Sequence, residues 1–591
     1  MSIQFTNVNS VWASILVETL YRLGLTTAIV CPGSRSAPLT IALAQHPQIE
    51  AIPVLDERSA AFFALGMARQ THRPVALICT SGTAGANFYP AVIEAKESGV
   101  PLLVLTADRP PELRACNAGQ AIDQQKLYGS YVNHYSELAL PDLAPDLLGY
   151  LRQTVIQAWE RSLYPTPGCV HLNIPFREPL APIPQAEAQA LGDRFDESEF
   201  FAAIEDGLTQ ERAEWQETAK LQALVSQVEQ SDRGIVIAGV AQSGSPQAYC
   251  QAIAHLAKSL GVPVLAEGLS PVRNYANLNP YLISTYDLIL RNEGWAESLA
   301  PDWVIRVGEM PTSKELRQWL SRTLPRQWVI DPGDRNLDPL HGKTIHLRRS
   351  VMQLAEDLSL QVQTPSPYLT HWCDAEAHVR QAIDPTFQEL ESLVESKVAW
   401  LLSQHLPTGT PLWIANSTPV RDVEWFWKPG NTQVQPFFNR GANGIDGTLS
   451  SALGMAHYRS GVLLTGDLAL LHDTNGFLLR PQFQGHLTIV LINNNGGGIF
   501  ELLPIAQFEP PFEEFFATPQ AIDFAQLCAT YGVTHEEIQS WKQLIQRLNP
   551  LPTNGIRVLE VRCDRKADAG WRKTALKQFA QNSIQNINSG Y

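Results

Sequence analysis

Two short segments in the last third of the chain place oxygen ligands at strand ends. Gly466-Asp467-Leu468 closes the apolar run GVLLTGD, and Asn493-Asn494-Asn495-Gly496 closes LTIVLINNNG. If a helical crossover joins these as parallel strands, both side chains reach the carboxyl edge of one sheet, the edge where ligands bind. A carboxylate from Asp467, an amide oxygen from Asn494 and the backbone carbonyl of Gly496 are hard donors suited to octahedral Mg²⁺ or Mn²⁺ and compatible with added diphosphate oxygens. Ordinary strand-end turns are the competing reading, because Gly-Asp and Asn-Gly pairs are common there.

A further acid, Glu57, follows the apolar run AIPVLDE in Leu55-Asp56-Glu57-Arg58. A carboxyl at that point can share a proton with a weakly basic ring nitrogen in a water-poor site. It can equally favour the N-terminus of the helix SAAFFALGMARQ through the dipole. In TSGTAGAN, Thr80 to Asn87, small residues lead from a strand into a helix and admit a ligand close to the backbone at Thr80 and Gly82, as strand-to-helix turns generally do. Arg35 in CPGSRSAPLT, Arg109 in TADRPPEL, Arg421 in NSTPVRD and Arg440 in NRGANGIDG can hold carboxylates bidentately, or sit in surface ion pairs.

These residues need a scaffold of short parallel strands. TTAIVCPG, AIPVLDE, PVALICTSG and VPLLVLTADR predict buried strands, with helices over SAAFFALGMARQ and over Ala84 to Glu97 between them. A Pro/Ala-rich stretch at residues 178–193 predicts a linker, and a second boundary is expected from Gln361 in QVQTPSPYLT. Between them GIVIAG, VPVLAE, DWVIRVG and QWVIDPG predict another α/β unit, and PLWIAN, GVLLTGD, LTIVLINNN and RVLEVRC a third. The full dinucleotide fingerprint is not evident after the strand ending at Gly239, which weakens the reading of a nucleotide-binding regulatory protein.

Composition sets the outer limits. A chain of 591 residues with 45% hydrophobic and 17% charged residues can bury several cores. A formal charge of −15 excludes a general nucleic-acid binder, so an anionic ligand requires a local concentration of arginine. Eight scattered cysteines with no CxxC pair read as reduced, mostly buried thiols. The start MSIQFTNVNS lacks the features of a signal peptide and no apolar run is long enough to span a bilayer, so a cytoplasmic protein without membrane insertion is expected.

Together, CPGSRSAPLT, DERSAAFFALG, TSGTAGANFYPAVIEA, TADRPPEL with GQAIDQ, NSTPVR, NRGANGIDG, and GDLALLHDTNG with INNNGGGIFELLP resemble the 2-succinyl-5-enolpyruvyl-6-hydroxy-3-cyclohexene-1-carboxylate synthase family of thiamine diphosphate enzymes. Leu468 stands where the wider cofactor family usually has glycine, a departure that suits this branch.

The resemblance implies three doubly wound parallel-sheet α/β domains: pyrimidine-binding at 1–182, Rossmann-like at 190–365 and diphosphate-binding at 370–591. It implies thiamine diphosphate with Mg²⁺ (or Mn²⁺). Glu57 would serve the aminopyrimidine, Ile445 would support the bent cofactor, and Thr80, Gly82, Gly466, Asp467, Leu468, Asn494 and Gly496 would complete the cofactor site. Ser34, Arg35, Arg109, Gln120, Lys314, Ser417, Arg421, Arg440, Ile499, Phe500 and Leu503 would form the substrate pocket, with Arg35, Arg421 and Arg440 also catalytic. Glu315 stands beside Lys314 where the resemblance leads one to expect a base.

The implied reaction decarboxylates 2-oxoglutarate and adds the resulting succinic semialdehyde carbanion equivalent to isochorismate, in menaquinone or phylloquinone biosynthesis. The site would join the first domain of one subunit to the last of another, in a homodimer or homotetramer. An acetolactate-synthase-like enzyme or a simple 2-oxo acid decarboxylase is the alternative; the adjacent histidines often found in such decarboxylases are missing here.

Overall fold

The computed structural model describes residues 3–205, 218–358 and 365–581. Three six-stranded sheets, each built of parallel pairs, organise the chain. The first contains β1 (Thr27–Val30), β2 (Glu50–Pro53), β3 (Val75–Cys79), β4 (Leu102–Asp108), β5 (His134–Glu137) and β6 (Cys169–Pro175), in the order 2-1-3-4-6-5. The second contains β7 (Gly234–Ala238), β8 (Val264–Ala266), β9 (Leu282–Ile283), β10 (Trp303–Val307), β11 (Arg326–Ile330) and β12 (Lys343–Leu347), in the order 12-11-10-7-8-9. The third contains β13 (Pro411–Ile414), β14 (Gln435–Phe437), β15 (Ser460–Gly466), β16 (His486–Asn493), β17 (Thr534–Glu537) and β18 (Gly555–Arg562), in the order 14-13-15-16-18-17. Counted from their own first strands, the first and third sheets have the same order. This is the expected class: three doubly wound parallel α/β sheets.

The central strands are uniformly buried and mostly apolar, as strands covered on both faces must be. Two compact units result. One comprises residues 1–214, 439–457 and 472–484; the other comprises 215–438, 458–471 and 485–591. Within the second unit a continuous apolar cluster runs from Ile237 and Val304 of the second sheet through Trp372 and Val420 to Val490 of the third.

Two local expectations are corrected. The stretch 178–193 does not read out as a linker: Leu180, Ala188 and Leu191 are buried in the first unit's core, and the Asn7 amide donates to the carbonyls of Ala181 and Ile183. The helix expected over Ala84 to Glu97 is two helices, Ala84–Asn87 and Tyr89–Ser98, because Pro90 has no N–H to continue the first. The proposed boundary at Gln361 falls on 361–364, outside the described residues. Among the described residues no helix is long and apolar enough to cross a membrane, and all eight cysteines are free, with only Cys116 exposed.

In the first unit the helix Glu57–Thr71 is fixed by its cap and by its packing face. Asp56 caps it, accepting from the Ser59 N–H at 2.8 Å, and small residues on its apolar face bring it onto the helix Thr448–Ala456. A Cβ on Gly66 would stand 2.0 Å from the Ser451 carbonyl oxygen, and one on Gly454 would stand 2.2 Å from that of Phe63. Backbone cannot rotate away as a side chain can. Gly66→Ala should therefore force the helices apart and destabilise by about 1–3 kcal/mol, read as a lowered melting temperature of the purified protein; an unchanged melt would show that the contact is not so close.

Candidate active site

The carboxyl ends of β15 and β16 stand side by side because Gly466 pairs with Ile492 in parallel register. Asp467 opens the helix Asp467–His472, so its carboxylate lies at a helix N-terminus. Its two oxygens accept the N–H groups of Leu468 at 2.8 Å and Gly496 at 2.7 Å. Burial pushes the Asp467 carboxyl up to about 6 and the nearby Glu395 charge adds to that, while the two N–H donors partly offset the rise.

Asn494 is buried as well. Its Nδ2 donates to Glu395 at 2.6 Å, whereas its Oδ1 has no hydrogen-bond partner among the described residues. A buried amide oxygen left without a donor is costly unless something absent from the bare chain meets it.

The loop beyond Asn494 is closely determined. Gly496 has φ +133°, and a Cβ there would meet the Ala517 carbonyl at 2.4 Å. Arg565 donates to the Asn495 carbonyl at 2.9 Å and to Glu501 at 2.7 Å, pinning the turn Gly498–Leu502. Among the described residues no group of three His, Cys, Asp or Glu side chains forms a metal cage. The donors here are different in kind: one carboxylate, one orphaned amide oxygen and a backbone carbonyl. They fit a hard cation whose remaining positions are filled by phosphate oxygens and water, the usual habit of Mg²⁺.

The other half of the expected residues stands at the carboxyl edge of the first sheet. Ser34 and Arg35 follow β1, and Thr80 and Gly82 follow β3. In the third sheet Ser417 follows β13 and Asp467 follows β15. Both pairs of strands mark the point where the sheet's connections turn in opposite directions, the crevice that binds ligands in such folds.

Arg35 is buried, donates to the Phe176 carbonyl at 2.8 Å and pairs with Glu178 at 3.3 Å. Gln120, at φ +58°, donates to the Ser81 carbonyl at 3.0 Å, and Ser81 returns a bond of 3.0 Å to the Gln120 carbonyl. Arg109 follows β4, with its N–H on Asp108 at 2.7 Å. Glu57 begins its helix half-buried, and its carboxylate makes no hydrogen bond or ion pair among the described residues. Ser417 has φ +77° without being glycine, a strain of about 1–3 kcal/mol of the sort concentrated at ligand sites. Its carbonyl accepts from Arg421 at 2.7 Å.

A cavity of about 770 Å³ in the second unit brings together Lys314, Arg421, Ile499 and Leu503. Arg291, Arg317, Lys573 and Lys577 face the same space, against Asp287, Glu315 and Glu424. These added cations escaped the motif reading, although Lys573 and Lys577 are spaced to share a helix face. Glu315 lies 4.0 Å from Arg291, itself held by Asp287 at 2.9 Å. Phe500 does not line this cavity; its ring meets Phe516 edge-on at 5.9 Å.

Known proteins resemble the chain in sequence and in fold. Residues 12–127 match the model described as thiamine pyrophosphate enzyme, N-terminal TPP binding domain, and residues 200–414 match the middle domain of thiamine pyrophosphate enzymes. A 2-succinyl-5-enolpyruvyl-6-hydroxy-3-cyclohexene-1-carboxylate synthase of Gloeothece citriformis is 62% identical over 98% of this chain and 100% of its own length. That of Trichormus variabilis is 63% identical over 99% of this chain and 100% of its own. The chain belongs to the 2-succinyl-5-enolpyruvyl-6-hydroxy-3-cyclohexene-1-carboxylate synthase family. It is thus a thiamine diphosphate enzyme. The fold alone is shared more widely: benzoylformate decarboxylase from Polynucleobacter necessarius superposes with a TM-score of 0.68 at 16% identity, covering 94% of this chain and 98% of that one.

For this synthase family member, the loop carrying Arg440 and Ile445 has an anchor near the end of the segment TSGTAGANFYPAVIEA, to which the motif reading gave no role. Glu94, buried in the helix Tyr89–Ser98, accepts the N–H groups of Gly441 at 3.0 Å and Ala442 at 2.7 Å, the Ser98 hydroxyl at 2.6 Å and Arg69 at 3.0 Å. The one sequence signal was an acid on an otherwise apolar helix stripe with Ala91 and Ala95. Glu94→Gln turns one acceptor into a donor facing these N–H groups. Hydrogen exchange at Gly441 and Ala442 should then accelerate about tenfold or more, as the ~1–3 kcal/mol cost of an unsatisfied buried donor requires; unaltered exchange would contradict the anchoring.

Proposed function

We propose that the protein decarboxylates 2-oxoglutarate and joins the succinic semialdehyde unit that remains to isochorismate, giving 2-succinyl-5-enolpyruvyl-6-hydroxy-3-cyclohexene-1-carboxylate and CO₂ on the route to menaquinone or phylloquinone. Full-length relatives that carry this synthase name support the reaction. The structural observation that carries the reading is the cavity where Lys314 and Arg421 stand together with four further cations. Both substrates are dicarboxylates, and an acidic chain must concentrate its cations in this way to hold them.

When bound, thiamine diphosphate supplies the electron sink for loss of CO₂. The chain's residues do the rest. Asp467, the Asn494 amide oxygen and the Gly496 carbonyl would hold Mg²⁺ (or Mn²⁺) against the diphosphate, with Gly466 and Leu468 shaping the approach. Glu57 would share a proton with the cofactor's aminopyrimidine, Thr80 and Gly82 would line the approach to it, and Ile445 would support the cofactor from its apolar side. Ser34, Arg35, Arg109, Gln120, Lys314, Ser417, Arg421 and Arg440 would orient the carboxylates and offset charge as it develops. Ile499, Phe500 and Leu503 exclude water.

In this reading the first domain, 1–182, binds the pyrimidine, the last, 370–591, binds the diphosphate, and 190–365 lies between. Glu57 of one chain serves Asp467 of another, in a cytoplasmic homodimer or homotetramer.

The deciding assay supplies Mg²⁺, thiamine diphosphate and 2-oxoglutarate and follows CO₂ with and without isochorismate. Release should be strongly isochorismate-dependent; efficient turnover of pyruvate alone would instead mark an acetolactate-synthase-like enzyme or simple decarboxylase. Glu57→Gln should retain cofactor binding, seen by circular dichroism, while turnover falls about 100-fold or more. Near-normal turnover would remove Glu57 from the mechanism.

A further inference from the structure

Glu395 belongs to none of the motifs, yet it is 3% exposed and its carboxylate meets the Asn494 side chain at the strand-end site. It opens the helix Glu395–His405. One carboxylate oxygen accepts from Asn494 Nδ2 at 2.6 Å, and the other accepts from Arg572 at 3.1 Å. Arg572 is equally buried and also takes Asp422 through two bonds, of 2.9 and 2.8 Å. Glu395 is thereby prevented from turning away.

An asparagine amide has nearly the same shape whichever way round it sits, but only one way presents lone pairs to a cation. Packing alone selects poorly between the two. An ionised carboxylate can only accept, so it requires the NH₂ end to face itself and turns the oxygen outward. That outward oxygen is the buried Oδ1 with no partner among the described residues. We infer that Glu395 is a positioning residue that fixes the Asn494 amide so that its oxygen, together with Asp467, receives the divalent cation.

The inference rests on the metal reading above and deepens it. Asp422 adjoins Arg421 on the helix Thr418–Phe426. The same guanidinium therefore ties the metal ligand's support to the element that carries a cavity cation.

The test is calorimetric titration of the cofactor-free protein with thiamine diphosphate at fixed Mg²⁺. Glu395→Gln, which can offer its own NH₂ and so permits the wrong amide orientation, should weaken Mg²⁺-dependent binding about ten- to a hundredfold with little change in far-ultraviolet circular dichroism. Asn494→Asp sets two carboxylates against each other and should also lose binding. The double variant E395Q/N494D should recover it, because the glutamine NH₂ donates to one oxygen of the introduced carboxylate and leaves the other for the cation.

A Glu395→Gln protein that binds like the parent, or a double variant no better than Asn494→Asp, would overturn the inference. Should Asn494→Asp fail to fold, Glu395→Gln against the parent decides alone. Asp467→Asn separates the two levels: retained Mg²⁺-dependent binding there defeats the metal reading itself, whereas its loss beside an unaffected Glu395→Gln defeats only the role of Glu395.

Discussion

The parallel pairing of β15 with β16 is the constraint from which the rest follows. With Gly466 opposite Ile492, the next residues of the two strands are delivered to the same edge, Asp467 on one side and Asn494 just past the other. A buried carboxylate is expensive, and its cost is met locally by the N–H of Leu468, at the helix start, and the N–H of Gly496. The second bond in turn requires the loop to bend through a conformation that glycine tolerates, with Ala517 packed where a side chain would be. Strand register, acid and glycine are thus one arrangement, and none of the three is free to vary alone.

The first and third sheets repeat one strand order, and Ser34 and Thr80 in one, like Ser417 and Asp467 in the other, follow the first and third strands of their sheet. The middle sheet has a different order and contributes mainly through the helix Lys314–Thr323, whose first residue enters the cavity. This division explains how a chain of net charge −15 can hold anions. Cations are gathered where Lys314, Arg421, Lys573 and Lys577 converge, although the chain as a whole is acidic.

Much of this was legible in the residues because doubly wound folds put chemistry at strand ends. Ser34, Thr80, Ser417, Asp467 and Asn494 lie directly after apolar runs, and the runs became β1, β3, β13, β15 and β16. What stayed hidden depends on partners far away in sequence. Glu94 meets Gly441 across 347 positions and Glu395 meets Asn494 across 99, and neither pairing has a local pattern. The edge strands β5 and β17 were also missed: they are short and only partly buried, so they lack the apolar run that announces a central strand. The stretch 178–193 misled because proline and alanine mark a turn-rich path whether it crosses solvent or, as here, is bonded to the start of the first helix, Val8–Leu23, through Pro179 and Gln185.

The central claim is that the Asp467 carboxylate, the Asn494 amide oxygen and the Gly496 carbonyl hold a divalent cation against the cofactor's diphosphate. Electron paramagnetic resonance with Mn²⁺ in place of Mg²⁺ addresses it directly. The account predicts tightly bound Mn²⁺ that appears with thiamine diphosphate and shows hyperfine coupling to its phosphorus nuclei. Cofactor binding of undiminished affinity in the presence of a chelator, with no bound Mn²⁺ signal, would contradict it.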